Sequence, residues 1–282
     1  MRSPTSRLSL PLLVLSLSPY ASLIRYVAAT SPPFITDPAS LVNLFIGTTN
    51  GGHVFPGATL PHGMAKPGMD TDSPGNQAGY DANPIYNATG FSQLHDQGTG
   101  GGVSLSNFKL WPFASCPDGD TFNACPTSVD SRKVLRNILP DGSPDDAAEP
   151  GYFASNLSTG IRVELTATRR TALHRQVSRR TPWYTFPPDT ANPRILLDVT
   201  DDGQYSSTRP AMTLDPNTSR VIGSADFQAS FGPGRYRVYT CVDFAGDGYE
   251  LVRNPFYPLL SLTALEFRVL PWNTEPGCKT HP

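Results

Sequence analysis

Apolar residues recur at every second position along much of this chain, and that period constrains the fold more than any other feature of the sequence. Ile161, Val163, Leu165 and Ala167 fall on one side of an extended segment, with Arg162, Glu164 and Thr166 on the other. Val221, Gly223, Ala225, Phe227, Ala229 and Phe231 make a second such row, and Tyr236, Val238, Thr240, Val242 and Phe244 a third. A repeat of two is that of a β-strand with one face buried. Between these rows Ile195, Leu196, Leu197 and Val199 form an apolar run broken only by Asp198, suited to a strand covered on both faces. No long amphipathic helical stretch competes with this pattern, and 29 prolines and 24 glycines suit many short strands joined by turns. The expected architecture is all-β, a β-sandwich.

With 282 residues and 38% hydrophobic content, the chain is long enough for one large or two small domains with real cores. The 22 Lys and Arg nearly balance the 24 Asp and Glu, and no basic run exceeds the pair Arg179-Arg180, so a nucleic-acid partner is not expected. Arg2 and Arg7 precede a Leu-rich stretch over residues 8–17, followed by the small residues Ala21, Ala28 and Ala29. That is the form of an export signal, read as residues 1–29, with a cut nearer Ala21 and an uncleaved anchor as the alternatives. The stretch is short for a membrane span, and no later segment is apolar enough to cross a bilayer. The expected location is secreted, with no membrane association after signal removal.

An oxidising compartment permits disulfides. Cys116 and Cys125 close a short loop over Pro117, Asp118 and Gly119 and are expected to pair, whereas Cys241 and Cys278 either pair or stay free. No Cys-x-x-Cys spacing supports a zinc site. Asn87, Asn156 and Asn217 each begin an Asn-x-Ser/Thr tripeptide and are glycan acceptors if the chain passes through a eukaryotic secretory route.

Residues 37–102 are dense in Gly, Pro, Asn and Asp and form a loop-rich first third, the kind of surface on which binding groups sit. In Gly51-Gly52-His53-Val54-Phe55-Pro56-Gly57-Ala58, glycines let the backbone bend around one polar ring, and Phe55 offers an apolar face for a sugar. A rigid turn whose histidine satisfies buried backbone groups is the equally good structural reading. In Gly90-Phe91-Ser92-Gln93-Leu94-His95-Asp96-Gln97-Gly98-Thr99-Gly100, a His-Asp pair beside a glycine run places donors and acceptors together, as hydroxyl recognition requires. The phosphate-cradle pattern G-x-x-x-x-G-K-[ST] is missing, and five histidines without a helical scaffold do not support a His-Asp metal phosphohydrolase. Asp70, Asp72 and Asn76 resemble a calcium loop only superficially and read as a turn whose aspartates cap their own backbone; Asp201 and Asp202 read as solvated turn residues. Neither a nucleophile elbow nor a cysteine with a partner base occurs.

In this order, the two Gly/His segments resemble the N-terminal domain of glycoside hydrolase family 92, whose pattern is V-N-x-F-I-G-T, G-H-x-F-P-G-A, P-x-G-M and G-F-S-x-x-H…G-T-G. Asn43, Phe45, Gly47, Thr48, Gly52, His53, Phe55, Ala58, Gly63, Met64, Gly90, Ser92, His95, Gly98 and Gly100 match it in place. His95-Asp96, the Cys116 to Cys125 loop, Tyr152-Phe153 and Tyr236 are most similar to fungal members, and the resemblance covers roughly residues 40–246. It implies a β-sandwich over residues 30–246, packed in the full-length enzyme on an (α/α)6 catalytic domain, and a calcium-dependent, inverting exo-α-mannosidase acting on mannose-containing glycans. Inversion needs two carboxylates about 6.5–9.5 Å apart flanking the scissile bond. By the resemblance both come from the barrel, as do most calcium ligands. No catalytic residue and no Ca2+ ligand is therefore assigned to this chain, and His53, Phe55, His95, Asp96 and Gln97 are the expected carbohydrate-contacting residues.

Residues 176–184 interrupt the family pattern, and 247–282 form a tail outside it, as an unspliced intron or shifted frame would produce. Three readings follow. The first is the substrate-cleft domain of a secreted mannosidase without its barrel, so that the family is a hydrolase while this chain lacks the acid and base. The others are a free-standing carbohydrate-binding module and a non-functional truncated gene product.

Overall fold

The computed structural model describes residues 37–75, 78–95, 106–117, 124–170, 172–173, 184–203, 206–215, 217–218, 220–229, 233–244, 251–253, 259–262 and 267–270. The chain divides into two compact units, Met1–Pro38 and Ala39–Pro282. Of the first, only Asp37 and Pro38 are described, so the architecture below is that of the second, and the expected export signal lies outside the described residues.

In chain order the strands are β1 (Gly68–Thr71), β2 (Ala88–His95), β3 (Ser106–Phe113), β4 (Asp146–Glu149), β5 (Tyr152–Asn156), β6 (Arg162–Ala167), β7 (Ala172–Leu173) and β8 (Tyr184–Thr185). They continue as β9 (Arg194–Asp198), β10 (Thr208–Asp215), β11 (Arg220–Gln228), β12 (Arg235–Phe244), β13 (Leu251–Arg253), β14 (Leu259–Leu262) and β15 (Phe267–Leu270). Among the described residues three antiparallel sheets result, ordered β1-β2-β3-β9-β14-β13, β10-β11-β12-β15 and β4-β5-β6-β7, with β8 also on β6. This is the expected β-sandwich architecture. A four-residue α-helix, α1 (Val129–Arg132), is capped by Ser128, whose side chain accepts from the Ser131 N–H. No helix among the described residues is long and apolar enough to cross a membrane.

Sequence period and burial coincide. Along β6, Val163, Leu165 and Ala167 are buried while Arg162, Glu164 and Thr166 are partly exposed. All of β9 is buried, because it lies between β3 and β14. The row from Val221 is buried through Phe227, after which β11 ends at Gln228 and the Ala229 N–H turns to the Gly234 carbonyl, while Phe231 lies outside the described residues. Residues beyond 246 contribute β13, β14 and β15, of which β14 pairs with β9 and β15 with β12.

The sheets meet through aromatic contacts. Phe108 of β3 meets Phe227 of β11 edge-on at 5.6 Å, and Tyr80 meets Phe153 of β5 edge-on at 6.0 Å. Phe91, Leu110, Trp111, Leu165, Ile195, Val221 and Val242 complete one contiguous core, and burying each such side chain stabilises the fold by about 1.5–3 kcal/mol. Cys116 and Cys125 form the expected disulfide, with a Cα separation of 4.8 Å. Cys241 is also disulfide-bonded, while Cys278 lies outside the described residues.

Candidate functional site

Close backbone packing shapes the first Gly/His loop. Gly47 and Gly51, at φ of +81° and +75°, and Asn50 at +56° fold the chain back, and the Gly52 N–H donates to the Thr49 carbonyl at 3.0 Å. A Cβ at position 52 would sit 1.9 Å from the Gly47 carbonyl oxygen. At the other end a Cβ on Gly57 would lie 2.5 Å from the Pro67 carbonyl oxygen, which accepts the Ala58 N–H at 2.9 Å. Held at both ends, the loop presents His53 and Val54 to solvent and leaves Phe55 half-buried. One face of Phe55 is already covered: its ring stacks on His95, with centroids 4.4 Å apart and an interplanar angle of 17°.

His95 closes β2 and is only 1% exposed. Its Nε2 is 2.9 Å from Asp70 Oδ1 on β1, and its Nδ1 is 3.0 Å from the Lys66 carbonyl oxygen. The other oxygen of Asp70 accepts from Lys109 Nζ on β3 at 2.7 Å and from the Ser92 hydroxyl on β2. Lys109 spends its remaining donors on Ser92 at 3.2 Å and Ser106 at 2.7 Å. Burial alone would raise the Asp70 carboxyl; the Lys109 ammonium and the His95 ring outweigh it and hold Asp70 well below the usual carboxylate range.

Two further buried ion pairs flank this cluster. Arg132, delivered by α1, donates to Asp198 of β9 at 2.7 Å and to the Thr127 carbonyl at 2.7 Å. Arg136 donates to Asp146 at 2.7 Å, lies with its guanidinium carbon 5.4 Å from the centroid of the Tyr80 ring, and donates to the carbonyls of Asp81, Asn83 and Tyr86. Burial, then the Asp146 carboxylate, push the Tyr80 hydroxyl far above the usual phenol range. Segment 81–86, fixed from beneath by Arg136, in turn donates the Ala82 N–H to the Thr48 carbonyl at 2.9 Å. The first Gly/His loop therefore rests on a buried arginine.

The structure brings Phe55 and His95 together and leaves His53, two residues before Phe55 in the same loop, exposed; Asp96 and Gln97 lie outside the described residues. The aspartates read as turn caps are otherwise employed. Asp70 is a strand residue in a buried charge cluster, and Asp72 accepts from the backbone and side-chain nitrogens of Asn87 across the loop, at 2.8 and 2.9 Å. Nor are Asp201 and Asp202 simply solvated, since Asp201 accepts the Val129 N–H at the start of α1 and Asp202 is buried against Ser206. Of the sequon asparagines, Asn217 is exposed, whereas the side-chain nitrogens of Asn87 and Asn156 donate to Asp72 and Asp145. Sequence reasoning missed Lys109, Arg132 and Arg136. The one available signal was Lys109 standing among Phe108, Leu110 and Trp111, where a buried ammonium demands a partner.

No group of three or more His, Cys, Asp or Glu among the described residues is arranged to hold a metal ion. Asp70 does not fit calcium, because both its oxygens are taken by cationic or hydroxyl donors.

A sequence model of the glycosyl hydrolase family 92 N-terminal domain matches residues 41–251. A protein of Arthroderma benhamiae described as an uncharacterized secreted glycosidase is 40% identical over 235 residues, 80% of this chain and 28% of that protein. Among solved structures, the GH92 family glycosyl hydrolase CcMan5 superposes with a TM-score of 0.59 at 20% identity, over 84% of this chain and 31% of that one. The GH92 α-mannosidase BT3965 from Bacteroides thetaiotaomicron does so with a TM-score of 0.58 at 23% identity, over 84% and 31%. The chain spans under a third of the length of these relatives.

Proposed function

Because this chain belongs to glycosyl hydrolase family 92, through the N-terminal domain of that family, we propose that it is the glycan-contacting sandwich of a secreted exo-α-mannosidase. Loop 51–58 is the contact surface and shapes the substrate cleft against a catalytic domain. The observation that carries this reading is the loop itself, held at both ends, with an exposed His53 beside a half-buried Phe55. An immobilised aromatic next to a free imidazole is suited to a sugar, whose C–H face packs on a ring while its hydroxyls seek polar partners. Asp96 and Gln97, which follow His95 in sequence, belong to the same proposed surface.

Hydrolysis is assigned to the catalytic domain. A general acid needs a carboxyl whose proton is retained near neutrality, yet Asp70, Asp72 and Asp226 are all displaced downward, despite the opposing effect of burial, by the lysine, arginine, histidine or asparagine groups beside them. Asp146 and Asp198 are locked to arginines. Calcium, which the full-length enzyme is expected to use, is likewise assigned to ligands of the catalytic domain. Exposed Leu41, Val42, Ile46 and Val54 on and before the loop favour a surface covered by that domain over a free-standing binding module. Secretion agrees with the description of the Arthroderma benhamiae relative, and Asn217 is the proposed first glycan acceptor.

Titrating α-1,2-mannobiose into the protein tests the contact surface. Replacing His53 or Phe55 by alanine is expected to weaken binding about tenfold each; unchanged binding in both variants contradicts the assignment.

A further inference from the structure

Both neighbours of the buried His95 ring accept hydrogen bonds and cannot donate. Asp70 Oδ1 is a carboxylate oxygen at 2.9 Å, and the partner at 3.0 Å is the carbonyl of Lys66. A neutral imidazole has one N–H and one lone pair, so it satisfies one of these acceptors and turns a lone pair toward the other. With the residue 1% exposed, water does not reach the site freely to relieve that contact. Only a ring carrying two N–H groups makes both bonds.

The ring also supports the loop. Phe55 stacks on it, an arrangement that gains from a cationic imidazole. A Cβ on Gly68 would lie 3.1 Å from His95 Cε1, so β1 closes in on the ring as well. Among the described residues, the groups set against the ring are Asp70 from β1, with Lys109 from β3 behind it, the Phe55 ring, the Lys66 carbonyl and Gly68. Lys109 by itself neutralises Asp70. Loss of the imidazole proton would leave that ion pair standing and remove a bond on the loop side of the cluster.

We propose that His95 is a positioning residue whose doubly protonated ring ties β1 to the Lys66 carbonyl and seats Phe55, so that the order of loop 51–58 follows the protonation of this ring. The inference rests on the reading of that loop as the glycan-contacting surface, and it makes His95 the support of the contact rather than the contact.

Imidazole 15N spectra of the labelled protein, followed as pH is raised, report which ring nitrogens of His95 carry protons. Hydrogen-exchange protection factors of the Gly52, Val54 and Ala58 amides are measured in the same samples, with Val221 and Val242 of the β11–β12 ladder as the reference. The expected result is two protonated nitrogens at the acidic end and a loss of loop protection of about tenfold as one proton leaves, the reference amides unchanged. A ring that is neutral throughout, or loop protection constant across its titration, overturns the proposal. His95→Phe keeps a ring for Phe55 but has no donors, so its loop should be loose at every pH. Persistence of the pH response in that variant also overturns it, and if the variant does not fold the wild-type titration decides alone. Mannobiose added at the acidic end separates the two claims: an ordered loop that binds no sugar contradicts the glycan reading and leaves the latch intact.

Discussion

Arg136 Nη1 lies 2.7 Å from Asp146 Oδ2, and neither side chain exposes more than 1% of its surface. The same guanidinium reaches the Tyr80 hydroxyl and three backbone carbonyls of the segment beneath the first Gly/His loop. Removing it would strand a buried carboxylate and release that segment. Arg136→Met is expected to cost about 3–5 kcal/mol in urea unfolding. Arg136→Met with Asp146→Leu, which removes both charges, should recover part of that loss; equal instability in the single and double variants would show that the ion pair is not the cause.

Acid should loosen the fold through Asp70. Its carboxyl is held below its unfolded value of about 3.9, so the stabilisation it provides is complete above that value and is lost as pH falls toward the lower folded value. Asp72 and Asp226 are displaced in the same direction and add to the slope. Urea unfolding free energies between pH 7 and pH 3 should fall more steeply for the wild type than for Asp70→Asn, which is less stable at neutral pH but lacks the titrating group. Parallel slopes would contradict the role given to Asp70.

Backbone proximity makes Gly52 the least replaceable residue of the loop. Because a Cβ there would sit 1.9 Å from the Gly47 carbonyl oxygen, Gly52→Ala must displace one arm of the turn. Overpacking of this kind costs about 1–3 kcal/mol. At Gly142, where φ is +86° but nothing lies within 4 Å of a Cβ, alanine meets only the backbone penalty, about 1–2 kcal/mol. Thermal unfolding of both variants, with the protection of Ala58 as a local readout, should show loop disruption for Gly52→Ala alone.

The Cys116–Cys125 bridge closes a separation of nine residues. Chain-entropy reasoning for so short a loop gives about 2–3 kcal/mol. Replacing both cysteines by serine should lower unfolding stability by that amount without changing the loop at 51–58, and a change below about 0.5 kcal/mol would show that the segment is ordered by other contacts.

The parts of this fold that were legible in sequence are those that depend on neighbours along the chain. Val163, Leu165 and Ala167 announce their buried face by alternation, and the unbroken apolar stretch Ile195-Leu196-Leu197 at the centre of β9 announces burial on both faces. What stayed hidden depends on partners far apart in sequence: Lys109 with Asp70, Arg132 with Asp198, and Tyr80 with Asp146. A charge beside a strand reads as a solvated face until its counter-charge is placed. For the same reason Phe55 looked like a free plane for a sugar, whereas one face is occupied by His95 from β2. The Gly/His loops were visible as segments, and their mutual stacking was not.

The most direct test of the central claim is to incubate the purified protein with α-1,2-mannobiose and calcium, measuring binding by isothermal titration and free mannose by chromatography. Saturable binding with no mannose released is the predicted result, because the proposed contact surface lies in this chain while hydrolysis is assigned to the catalytic domain. Mannose release by this chain alone, or the absence of any binding, would contradict the account.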